Sequence, residues 1–214
     1  MTEAINSVIP GQLFVVSAPS GAGKTSLVRA LIEKDPSTGV SVSHTTRQQR
    51  PGEVDGVNYH FINDLTFKSM IDGGEFLEWA HVFDHLYGTS IDAARDVLNT
   101  GKNLILEIDW QGAEQVRHKV AGTQSIFIFP PSLKALRDRL DGRNQDDHAT
   151  VEKRMNAAFE ELSHYAEYDY LIINDDFDTA TAELTEIING RGNDFRRETC
   201  LTRLEGLISN LLPG

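Results

Sequence analysis

The run S-A-P-S-G-A-G-K-T-S-L at residues 17–27, entered from the apolar stretch 13–16, constrains the fold more than any other feature of the chain. A strand that ends in a glycine-rich turn and at once opens a helix belongs to a crossover unit, in which the helix returns the chain over a sheet to a parallel strand. Gly21 and Gly23 let the backbone bend so that successive N–H groups face one concavity, and the helix adds its positive end. In such a cradle Lys24 reaches the β- and γ-phosphates and Thr25 holds Mg²⁺, so the spacing predicts a nucleoside triphosphate ligand. Pro19, Ser20, Ala22 and Ser26 complete the loop. The usual pattern is G-x-x-x-x-G-K-[ST]. Ala18 stands in for its first glycine, a place an alanine can fill as long as φ there stays negative.

Apolar or β-branched runs predict strands at 12–17, 40–43, 103–108, 124–129 and 170–173, most with little alternation, as in strands buried on both faces. Helical stretches at 24–34, 90–99, 111–118, 133–140, 150–165 and 179–189 lie between and after them. This order predicts an α/β protein of the three-layer P-loop NTPase kind with a parallel central sheet, its ligands at the carboxyl ends of the strands. Residues 43–89 break the alternation with turn signals and aromatics, and are read as a small lobe inserted into the sheet. A polar loop at 142–149 sits inside a short lid over 133–154, leaving a core over 1–42, 90–132 and 155–214. Apolar residues near a 3.6 period after residue 190 predict a terminal amphipathic helix docked on that core.

Composition narrows the function. Twenty basic against 32 acidic residues give a net charge of −12, which argues against binding along a nucleic-acid backbone. No apolar run approaches the roughly 18 residues that span a bilayer, and the acidic first residues lack a signal-peptide pattern. The single cysteine, Cys200, fits a reducing compartment, so the expectation is a cytoplasmic protein with no membrane partner and an open oligomeric state. Anion capture by such an acidic chain requires local arginines, and these cluster at Arg47 and Arg50 and again at Arg137, Arg139, Arg143 and Arg154.

The stretch S-H-T-T-R-Q-Q-R-P-G-E-V-D-G-V-N-Y at 43–59 places two guanidiniums and a phenol around turns, a set suited to a phosphate monoester. Farther on, G-E-F-L-E-W-A and Y-G-T add the Glu78 carboxylate, the Tyr87 phenol and the Thr89 hydroxyl. A carboxylate facing a base accepts from a ring N–H and an exocyclic amine, which guanine presents together and adenine does not. Glu107 and Asp109, two apart on a predicted strand, share one face. They are open to three roles: Mg²⁺ through water, contact with an acceptor base, or capping of the next helix, to which Asp109 is the better suited. Read by itself, Glu78 would be an exposed acid on an amphipathic helix.

In order along the chain, the phosphate loop, S-V-S-H-T-T-R-x-x-R-P-G-E, F-L-E-W-A, Y-G-T, I-D-W-Q-G and I-I-N-D-D together resemble the bacterial guanylate kinases, over about residues 12–188. The resemblance implies MgATP-dependent phosphorylation of GMP, and of dGMP, with release of ADP in purine nucleotide recycling. It implies that the inserted lobe over 43–89 binds the nucleoside monophosphate, with Ser43, Glu78 and Thr89 contacting the guanine and Arg47, Arg50, Tyr59 and Tyr87 holding the GMP phosphate. Lys24, Thr25 and the loop backbone would hold MgATP, Arg139, Arg143 and Arg154 would close over the phosphates, and Asn174 would lie near the adenine. Glu107 stands where many members carry Asp, so its guanine contact is displaced by one methylene. His81 and His85 have the spacing of a helical zinc pair but lack the HExxH glutamate and a third ligand. Trp79 and Trp110 are expected to be packing residues, and His44 and Cys200 have no assigned chemistry. Another small-molecule kinase on the same scaffold would lack the guanine set. A binding module without chemistry would not need Lys24, Thr25 and the lid arginines.

Overall fold

The computed structural model describes residues 11–142 and 148–212. Its first apolar run is β1 (Leu13–Ser17), buried at every position, and the glycine turn releases the chain into α1 (Lys24–Lys34). The chain then forms β2 (Thr38–Val40), β3 (His44–Thr45), β4 (His60–Phe61), α2 (Asp64–Asp72), β5 (Phe76–Val82), β6 (His85–Ser90) and α3 (Ile91–Asn99). It continues through β7 (Asn103–Glu107), α4 (Trp110–Lys119), β8 (Gln124–Phe129), α5 (Leu133–Asp141) and α6 (His148–Ser163). The last elements are β9 (Tyr170–Ile173), α7 (Phe177–Ile188) and α8 (Arg197–Leu211). A five-stranded sheet has the order β2-β7-β1-β8-β9, and its β2/β7 and β8/β9 pairs are parallel. This is the α/β P-loop fold that the strand-turn-helix opening predicts. No helix of the described residues is long and apolar enough to cross a membrane.

The chain divides into two compact units: the described residues up to Val15 with Ser37–Thr123, and Val16–Pro36 with the described residues from Gln124 onward. In the first, a four-stranded sheet has the order β4-β3-β6-β5. β3 runs parallel to β4 and antiparallel to β6, and β5 and β6 form an antiparallel hairpin. Phe67 of α2 stacks on Phe76 of β5 at 4.5 Å and is fully buried, which fastens the helix to the sheet. The start of α3 is capped by Ser90, whose hydroxyl accepts from the Ala93 amide.

One expectation changes here, and one alternative falls away. The strand expected at 40–43 is instead Thr38–Val40, paired with Asn103 to Ile105 of β7. Residues 41–43 leave that sheet, and the Ser43 hydroxyl ends 3.3 Å from Thr89 Oγ1. Glu78 lies on a strand, 2% exposed, rather than on an exposed helix face. The same hairpin removes the helical premise of the His81 and His85 pair, which lie opposite Leu86 and Val82 respectively.

In the second unit, β8 and β9 align from Ile126↔Tyr170 to Phe129↔Ile173. One carboxylate oxygen of Asp169 accepts from both the amide and the hydroxyl of Ser125, each at 2.8 Å, and so sets that register. Leu136 and Leu140 of α5 form an apolar cluster with Val151, Met155 and Ala158 of α6. The terminal helix α8 buries Leu204, Ile208 and Leu211 of its expected apolar stripe together with Cys200, while Leu201, Leu207 and Leu212 are half-buried. Arg143 and most of the polar loop expected at 142–149 lie outside the described residues.

Candidate active site

The phosphate loop belongs to the second unit. Gly21 and Gly23 take φ values of 93° and 94°, in the left-handed region that an L side chain resists. Phe83 is the one non-glycine residue with positive φ among those described, so Ala18 replaces the motif's first glycine without strain. No side chain caps α1, which leaves its first-turn amides to the loop's concavity. Lys24 opens the helix half-buried, with Thr25 and Ser26 exposed beside it.

Three other segments of the unit fasten this loop. Asn174, 4% exposed just beyond β9, donates from Nδ2 to the Ala22 carbonyl at 2.6 Å. Arg139 of α5 donates to the same carbonyl at 3.4 Å and to the Asn174 carbonyl at 2.9 Å. The Ser20 amide donates to a carboxylate oxygen of Glu161 at 2.9 Å. A Cβ on Gly23 would stand 2.3 Å from Asn174 Nδ2, so the approach of this amide is a second reason for glycine there. Arg154 lies half-buried on α6.

In the first unit, Ser43, Thr89 and Glu78 form a connected polar group. A β-bulge between Phe76 and Glu78 sets Glu78 opposite Thr89. The Thr89 hydroxyl and amide both donate to the Glu78 carboxylate, and Ser43 reaches Thr89 from the other side. Burial pushes the Glu78 carboxyl up to about 7 and Asp109 adds to the rise, against the pull of the Thr89 hydrogen bonds and of Lys119. Asp109 is the N-cap of α4, where Oδ1 accepts from the Gly112 amide at 2.9 Å.

Arg47 is 9% exposed, its guanidinium 5.5 Å from the centre of the Tyr59 ring and 5.6 Å from that of Phe61. It pairs with Glu53 at 2.7 Å and hydrogen-bonds the Tyr87 phenol. Tyr59 and Tyr87 meet edge-on at 5.8 Å. Burial, together with Tyr87 and Glu107, raises the Tyr59 phenol to about 12, so it stays a hydrogen-bond donor at any working pH. Arg50 is exposed, and its backbone amide donates to the second oxygen of Glu53. Burial pushes the Glu53 carboxyl up, but the hydrogen bonds from Arg47 and the Arg50 amide, with both arginine charges, carry it below its ordinary value. Burial and the neighbouring His60 lower the His44 imidazole, keeping it neutral.

Reasoning from sequence passes over Glu53, Gln115 and Glu161. The signal for Glu53 was present as the acid closing R-P-G-E, and that for Gln115 follows W-Q-G on α4. Glu161 has no local signal, because its partner lies 141 positions away. Trp79, expected to be a packing residue, is 37% exposed.

Parallel strands, a glycine-rich loop opening a helix, a buried carboxylate with its hydroxyl partners and a buried arginine among phenols define a P-loop phosphotransferase. The guanylate kinase family profile matches residues 11–191. A guanylate kinase of Pseudomonas fluorescens Pf-5 is 54% identical over 202 residues, spanning 94% of this chain and 97% of its own. One from Alkalilimnicola ehrlichii is 53% identical over 190 residues, 89% of this chain and 94% of its own. The crystal structure of the Anaplasma phagocytophilum guanylate kinase superposes with a TM-score of 0.71 at 33% identity, over 86% of this chain and 87% of that one. The chain belongs to the guanylate kinase family.

Proposed function

We infer that this enzyme transfers the γ-phosphoryl group of ATP to the phosphate of GMP, giving ADP and GDP. The observation that carries the reading is the buried Glu78 carboxylate, tied to Thr89 and through it to Ser43 on the unit that also carries Arg47, Tyr59 and Tyr87. A buried acceptor of this kind selects a base that donates from adjacent ring and exocyclic nitrogens. A purine without those donors leaves the carboxylate unpaired, which is costly.

In the reaction an acceptor phosphate oxygen forms a bond to the γ-phosphorus as the bond to the β,γ-bridging oxygen breaks, and ADP departs with that electron pair. The attacking oxygen is already ionised near neutral pH, since a phosphate monoester has its second pKa near ~6. The protein therefore supplies cations and position rather than a base. Lys24 and the loop amides hold the donor phosphates. Arg139 and Arg154, with Arg143, stabilise charge on the transferring group. Arg47 and Arg50 neutralise the acceptor, Arg47 exchanging Glu53 for phosphate. Asn174 lies near the adenine, and Glu107 extends the guanine set. The exposed Thr25 hydroxyl, next to Lys24 in the first turn of α1, fits Mg²⁺, which is held by few protein oxygens together with phosphate. When bound, Mg²⁺ neutralises the β- and γ-phosphates. Asp109 is a further candidate holder through water. The fit to a cytoplasmic metabolite enzyme follows from these substrates.

The test is ADP release from MgATP with GMP, AMP, UMP, CMP or no acceptor, for the wild type and Lys24→Met. Turnover that requires both GMP and Lys24 is expected. Near-normal turnover in the variant, or preference for another acceptor, overturns the reading.

A further inference from the structure

Strand β5 is an edge of its sheet, so its outer backbone groups have no neighbouring strand to bond. Side chains of α4 take that place. Gln115 accepts from the Trp79 amide at 3.2 Å and donates to the Trp79 carbonyl at 2.7 Å, as a paired strand would. Lys119 donates to the Leu77 carbonyl at 2.7 Å. Four positions apart, the two residues share a face of α4, and they grip the residues on either side of Glu78. One turn toward the helix start is Gly112, where a Cβ would lie 2.4 Å from Glu78 Oε2 and 3.2 Å from its Cδ. The helix thus presents a bare spot where the carboxylate stands and two clamps where the strand runs. The guanine contacts otherwise give the W-Q-G part of this segment no role.

We propose that Gln115, Lys119 and Gly112 are positioning residues for base selection, holding Glu78 from outside its sheet so that it favours a purine with both a ring N–H and a 2-amino group. This rests on GMP as the acceptor. A carboxylate that shifts by a fraction of an ångström still meets one donor but loses the pair, so selectivity suffers more than turnover.

The experiment compares Gln115→Ala, Lys119→Met, Lys119→Arg and Gly112→Ala with the wild type. The readouts are kcat and KM for GMP, the KM for ATP, and the KM or competitive inhibition constant of IMP, which lacks the 2-amino group. In Gln115→Ala, Lys119→Met and Gly112→Ala the GMP KM is expected to rise on the order of tenfold, with kcat and the ATP KM little changed. The preference for GMP over IMP is expected to fall with it. Lys119→Arg, which can still donate to the Leu77 carbonyl, is expected to restore that preference. A preference equal to wild type in the first three variants overturns the proposal, whatever their melting temperatures. Should one fail to fold, Lys119→Met against Lys119→Arg decides on the same ratio. A wild type that shows no preference for GMP overturns the assignment of the acceptor itself.

Discussion

Glu78 is held where function needs it and where folding resists it. A carboxyl raised by burial to about 7 favours the protonated folded state, so its contribution to stability is complete below the unfolded value near ~4.5 and is lost as pH rises through about 7. The loss above that window is on the order of 3 kcal/mol. Glu78→Gln, which cannot ionise, should therefore melt higher than wild type at pH 8 and nearly level with it at pH 4.5, as read by thermal denaturation across pH. The same group must be charged to accept from guanine. The GMP KM of the wild type should accordingly rise as pH falls below about 7, while Glu78→Gln should show a KM raised about 100-fold and flat across that range. A wild-type KM that does not vary between pH 6 and 8 would contradict this account.

Among the elements, α4 begins at an acid to which sequence left several roles. Asp109 caps the helix through the Gly112 amide, and substitution separates that duty from chemistry. Asp109→Ala should lose about 1 kcal/mol in denaturant unfolding, whereas Asp109→Asn, an equally good cap, should keep stability. If the carboxylate also serves Mg²⁺, Asp109→Asn alone should raise the Mg²⁺ concentration required for half-maximal turnover; an unchanged requirement leaves it only the cap. Elements legible from sequence were those with a strong period or a continuous apolar run. The helix at 24–34 and the strands at 124–129 and 170–173 coincide with α1, β8 and β9. The β5/β6 hairpin was not legible, because its turn at Phe83 and Asp84 has neither glycine nor proline, and the positive φ of 53° falls on Phe83, a residue type that does not announce it. Burial of an acid was equally hidden: nothing local to F-L-E-W-A announces that Thr89 and the first turn of α4 will enclose it. The polar residues of the site were named by resemblance, while the brace residues Gln115 and Glu53 depend on partners that only folding supplies.

For the whole molecule, the residues assigned to ATP other than Arg143 fall in the second unit and those assigned to GMP fall in the first. Each ligand should then stabilise on its own account, by about 2.7 kcal/mol at a hundredfold excess over its dissociation constant. In Lys24→Met the melting shift from GMP should persist while that from MgATP shrinks; loss of both shifts would show that Lys24 supports more than the donor site. The last consequence concerns synthesis. The Ala22 carbonyl is secured by Asn174, 152 residues farther along the chain, and ribosomes add about 5–20 residues per second, so the emerging loop waits roughly eight to thirty seconds for this anchor. A nascent chain therefore carries its phosphate cradle well before the bolt that holds it, and gains its hold on nucleotide only once the strand before Asn174 has joined the sheet.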